Sequence, residues 1–160
     1  MKTLVKFLLV GFITFFAAIT VFAQEWTEEQ KEVWEGVTQG WTDIANSDAD
    51  ALSAGYHEQY QGWSNDAPLP SSKEMFFNWL KGAFAMGAKI NWYNINPARI
   101  VVTENAAVVD YYFSYQVATP DGNGGMETSV ISGKNVFFLV KEKGQWLLLG
   151  DMSVNDSDED

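Results

Sequence analysis

The sequence predicts an α+β protein in which three short helices lean on a strongly curved antiparallel sheet and enclose a pocket. Three observations predict it. Helical apolar spacing fills the chain as far as Gly87, and from Lys89 onward the period changes to two. The segment joining the second helical pattern to the third, Tyr56 to Pro70, gathers the only histidine, His57, beside Tyr56, Tyr60 and Trp63. The aromatics (seven Trp, six Tyr and eleven Phe) exceed what a compact core needs.

Met1 to Ala23 reads as a secretory signal peptide. Lys2 and Lys6 give a positive start, Phe7 to Phe22 is almost wholly apolar, and Val21-Phe22-Ala23 fits a small-x-small cleavage site. Cleavage after Ala23 leaves a chain of 137 residues, with one domain over 24–154 and an acidic, disordered tail over 155–160. No cysteine follows the apolar run to carry a lipid. The expected location is therefore secreted or periplasmic, without membrane contact after cleavage.

Thr27-Glu28-Glu29-Gln30 is a capping-box pattern that opens the first helix. Trp34, Val37, Trp41 and Ile44 then form one apolar stripe, which Asn46-Ser47-Asp48 ends. A short second helix runs from Asp48 to about Gly55 with Leu52 inward. Tyr60 to Trp63 reads as a short strand, and Asp66 to Pro70 as a loop held open by Pro68 and Pro70. Ser71-Ser72-Lys73-Glu74 offers a second capping box, and the third helix carries Phe76, Trp79, Leu80 and Ala83 to Gly87. The later strands are Ile90–Ile95, Arg99–Val102, Ala107–Ala118, Thr128–Val140 and Trp146–Val154. Glu104-Asn105, Pro120 to Gly124 and Lys143-Gly144 supply the turns.

Composition excludes several functions. Zero cysteines and one histidine remove the usual zinc and copper ligand sets, so no metal or cofactor is expected. The formal charge is −11, and loss of Lys2 and Lys6 leaves 8 basic against 21 acidic residues, a net −13. Such a surface repels nucleic acid and anionic membranes and favours neutral, apolar or cationic partners.

The order of elements, together with SDADALSAGYHEQYQGWS, the strand start NAAVVDYYFSY and the hairpin KEKGQWLLLGD, resembles the SnoaL-like (DUF4440-type) branch of the nuclear transport factor 2-like (NTF2-like) superfamily. The resemblance spans the mature chain and rests on packing and turn signatures, so it speaks to fold more than to activity. It implies a cone with a pocket between helices and sheet, and a homodimer through the sheet's outer face. The superfamily includes ketosteroid isomerase, scytalone dehydratase, limonene epoxide hydrolase, polyketide cyclases and noncatalytic binding proteins. Isomerase chemistry would need a tyrosine and two carboxyls where ungapped counting finds Gly40, Ser64 and Val136, which leaves Asp66 as a displaced base.

The remaining candidates come from residue chemistry. His57 is a possible acid–base group or a cap at a helix end. Asp110 lies in an apolar strand start, where Val109, Tyr111, Phe113 and Tyr115 share one face and Asp110, Tyr112, Ser114 and Gln116 the other. Facing inward, Asp110 and Tyr112 would form a polar pocket floor; facing outward, Asp110 is a solvated or interface carboxylate. Arg99 has Asp110 or Asp151 as ion-pair partners. Tyr60, Trp63, Trp79 and Tyr112 are the expected pocket wall. The leading expectation is a noncatalytic or weakly catalytic protein that holds a small hydrophobic molecule. An acid–base enzyme (isomerase, dehydratase, cyclase or hydrolase type) using Asp110 or Asp66 with His57 and Tyr112 is the alternative. A dimeric interaction module with a filled pocket is the third.

Overall fold

The computed structural model describes residues 25–156. The expected signal peptide and the last four residues of the acidic tail lie outside them. The chain runs α1 (Glu28–Ala45), α2 (Ala49–Ala54), β1 (Tyr56–Ser64), β2 (Ser71–Ser72), α3 (Lys73–Ala85), β3 (Lys89–Val102), β4 (Ala106–Pro120), β5 (Met126–Glu142) and β6 (Gln145–Asn155).

Each helix begins on a side chain that meets its free N–H groups. Thr27 accepts from the Gln30 N–H, and the Gln30 side chain accepts from the Thr27 N–H in return, completing the box. Asp48 accepts from the Ala51 N–H at 2.9 Å and starts α2. For α3 the cap is Ser72, which accepts from the Met75 N–H. The expected box on Ser71 and Glu74 gives way to this single cap one residue on, where Met75 has no side-chain oxygen to return a bond.

The six strands form one curved, unclosed sheet in the order β2-β1-β6-β5-β4-β3. Every pairing is antiparallel except β1 with β6, which is parallel. Two expected strands, Ile90–Ile95 and Arg99–Val102, are one strand, β3. Pro97 does not break it, since β3 is an edge strand and its register slips between Pro97 and Arg99. β1 is longer than expected and takes in Tyr56 and His57. The β5–β6 hairpin turns on Lys143 and Gly144, both at positive φ (51° and 83°), as a two-residue turn between twisted strands requires. β6 reaches Asn155, and the Asp156 N–H donates to the Ser132 carbonyl, so the tail expected from residue 155 begins within the sheet.

One irregularity in β6 decides which of its later residues face the helices. Leu139 pairs with Leu148 and Phe138 with Gly150, so Leu149 is an extra residue. Such a bulge bends a strand and reverses the facing of everything beyond it. The main core lies between α1 and the concave face, around Val33, Val37, Val109, Tyr111 and Leu148. A second cluster, Ala49, Leu52, Phe77 and Leu80, locks α2 to α3.

Candidate functional site

Helices and concave sheet leave between them a cavity of about 730 Å³. From α1 it receives Val37, Gly40, Trp41 and Ile44; from β1, Tyr56 and Tyr60; from α3, Phe76 and Trp79. β4 contributes Tyr111, Phe113 and Tyr115, β5 contributes Asn135 and Phe137, and β6 contributes Leu148, Asp151 and Ser153. The strand residues are there by alternation: Tyr111 pairs with Asn135, and Phe137 with Asp151, so all four share the concave face.

A polar network crosses this aromatic chamber. The Tyr60 hydroxyl donates to Asp151 Oδ1 at 2.5 Å, and the Asn135 amide points a longer contact of 3.5 Å at Oδ2. The Trp41 indole N–H donates to the Tyr111 hydroxyl at 3.2 Å. Gly62 permits the first of these bonds. A Cβ there would press on the Tyr60 hydroxyl and lie 2.5 Å from Asp151 Oδ1. Burial raises the Asp151 carboxyl above its ordinary pKa, and the bonds from Tyr60 and Asn135 only partly offset this. Burial, and then the charge on Asp151, push the Tyr60 phenol far up, and burial likewise raises Tyr56 and Tyr111. The phenols therefore stay protonated. Asp151 is the floor's one carboxyl, able to take or give a proton.

The rings hold one another. Tyr56 meets Tyr60 edge-on at 4.7 Å and stacks on Phe76 at 5.8 Å. Trp41 stacks on Tyr93 at 5.6 Å, and Tyr111 meets Phe137 edge-on at 5.1 Å. Such pairs stabilise by roughly 0.5–1.5 kcal/mol each beyond burial and fix the wall's shape.

Of the expected wall, Tyr60 and Trp79 line the cavity, Tyr60 buried at the floor and Trp79 67% exposed at the opening. Trp63 and Tyr112 stand on the convex face instead. The Trp63 indole donates to the Ala67 carbonyl at 2.8 Å, and Lys134 lies over the Tyr112 ring at 5.7 Å. Asp110 shares that outer face and binds Arg99 Nε at 2.5 Å. The inward set of β4 is the wholly apolar and aromatic one. His57 is on β1 rather than at a helix end; its Nδ1 accepts from the Gln59 N–H and its Nε2–H donates to Glu142. Asp66 is in the exposed loop after β1 and accepts from the Asn155 amide. The structure thus brings neither His57, Asp66 nor Asp110 to the cavity.

Gly40 and Ser64 do line it, but Val136 faces outward, one residue out of phase with inward Asn135 and Phe137. Sequence reasoning missed Asp151, Asn135 and Tyr111 as floor residues. The available signal was an acid closing the apolar run Trp146 to Leu149, yet plain alternation from the Lys143-Gly144 turn puts Asp151 outside. The bulge at Leu149 brings it in. Among the described residues no group of three or more His, Asp or Glu could hold a metal ion, and no helix is long and apolar enough to cross a membrane.

No protein-family profile matches this sequence, and no curated protein matches it. Solved structures do resemble it. A ketosteroid isomerase-like protein from Erwinia carotovora atroseptica superposes with a TM-score of 0.68 at 15% identity, over 82% of this chain and 99% of that one. An NTF2-like protein from Cytophaga hutchinsonii gives 0.65 at 13% identity, over 81% and 100%. A scytalone dehydratase-like protein from Novosphingobium aromaticivorans gives 0.66 at 14%, over 81% and 85%. At such identities the likeness establishes the architecture. The chain has the NTF2-like fold.

Proposed function

We propose that this is a secreted or periplasmic pocket protein of the SnoaL-like branch that holds one small, largely apolar or aromatic molecule and acts chiefly by binding. The observation that carries the reading is the chamber: about 730 Å³, ringed by aromatic side chains, with Tyr60, Asp151, Asn135 and Tyr111 converging at its floor. Volume and lining are those of small-molecule sites, where apolar walls give affinity and a few polar tips give orientation. A chamber this size also counts against an interaction module with a filled pocket. Native mass spectrometry of the purified protein tests the reading. A bound small molecule, or Trp fluorescence that saturates with an apolar aromatic probe, supports it; a chamber that takes up neither sinks it.

One observation favours a second reading. Asp151 is a buried carboxyl of raised proton affinity, bonded to a phenol and facing an apolar chamber, which is how acid–base catalysts are built. The acid–base role considered for Asp110, His57 and Asp66 passes to Asp151 on this reading. Turnover of a small hydrophobic substrate that Asp151→Asn abolishes would establish it. The proposed location rests on the signal peptide and is checked by N-terminal sequencing, with Gln24 expected first. The proposed partner is a second copy of the chain, seated on the convex face where Tyr112, Val130, Phe138, Met152 and Val154 are exposed.

A further inference from the structure

We propose that the ligand is a hydrophobic monocation, a protonated amine carried on an apolar or aromatic body. This rests on the binding function and adds the sign of the charge. Among the described residues, those that line the chamber include three carboxylates, Glu32, Asp43 and Asp151, and no Lys, Arg or His. Glu32 is matched: Lys141 Nζ lies 3.3 Å from its carboxylate, on the rim. Asp43 accepts from the Gln39 amide at 2.7 Å. Asp151 has only neutral partners, the Tyr60 hydroxyl and the Asn135 amide.

A carboxylate at the floor of an apolar chamber without a countercharge is costly, and it either takes up a proton or waits for a cation. An anionic ligand would add to that cost, and a neutral one would leave it in place. An ammonium group would remove it and would lie among the Tyr56, Tyr60 and Tyr111 rings that line the chamber, and aromatic rings attract cations through their quadrupoles. The chain already shows this contact at the rim, where Lys141 lies 5.0 Å from the centre of the Trp146 ring, and Trp146 itself lines the chamber. The net negative charge of the whole molecule draws such a ligand in.

Three probes on one skeleton test the charge: phenylpropylamine, phenylpropanol and phenylpropanoate, titrated into the purified chain at neutral pH by calorimetry. The amine is expected to bind at least about tenfold tighter than the alcohol, the scale of one charge-assisted or cation–π contact. The carboxylate is expected to bind weakest. Asp151→Asn should bring amine and alcohol within about twofold of each other, the loss of one ion pair. An independent readout needs no variant. Asp151 is faced by Tyr56 and Tyr60 from β1 and Tyr111 from β4, phenols that stay protonated, while Glu32 and Asp43 of α1 sit farther out on the lining. Acidification should therefore weaken the amine more than the alcohol as Asp151 takes up a proton. An alcohol that binds as tightly as the amine, or a carboxylate that binds tightest, overturns the cation and leaves the binding function intact. If none of the three binds, both fall.

Discussion

At the scale of single residues, Gly62 and Asp151 decide the floor. The Tyr60 hydroxyl reaches Asp151 across Gly62, where a side chain would meet both groups. Gly62→Ala is expected to part them and to cost about 1–3 kcal/mol, the usual penalty of overpacking, measured by urea unfolding. Asp151→Asn should behave in the opposite way. Burial raises the folded carboxyl's pKa above its unfolded value, so the native state holds that proton more tightly. The resulting stability is present on the acid side and is lost as pH rises through the folded pKa. At neutral pH the amide variant, which carries no charge to bury, should match or exceed the parent by about 1 kcal/mol. The gap should close on acidification. Thermal melts of both proteins across pH check the sign.

At the scale of elements, Ser72 offers the simplest test. Its side chain caps α3, and Ser72→Ala should cost about 1 kcal/mol, read from the same unfolding curves. The elements themselves were largely legible in the sequence, because the change from helical spacing to alternation after Gly87 is a physical requirement of the two structures. What alternation could not show was register. Pro97 reads as a break, yet an edge strand tolerates a missing N–H, so β3 continues through it. The face of β4 stayed open in the sequence, with Tyr112 expected in the wall; the structure turns the uniformly apolar or aromatic set of Val109, Tyr111, Phe113 and Tyr115 inward. Asp151 was harder. A single extra residue in β6 reverses its facing, and its one sign in the sequence is Gly150, a glycine inside a strand. The chamber's existence was thus legible in the aromatics, with two of the four expected wall residues, Tyr60 and Trp79, while its chemistry depended on one local slip.

At the scale of the whole molecule, the helices cover one face of the sheet and leave the other open. Phe138 lies on that convex face 44% exposed, beside Val108 and Gly150 on the neighbouring strands. If two copies associate there, Phe138→Glu should convert a dimer of the mature chain to a monomer in light scattering, because it would bury two unpaired charges across the symmetry axis. A wild-type chain that already runs as a monomer would sink the dimer. The sheet's borders bear on this too. One border is β2, only two residues long; the other is β3, with its two slips of register and Pro97. Short, irregular or proline-bearing margins give a neighbouring strand little backbone to zip onto. A chain with no cysteine to staple it thus has its aggregation routes narrowed by shape alone: ribbon-like fibril growth is discouraged, and self-association is steered toward closed, finite assemblies.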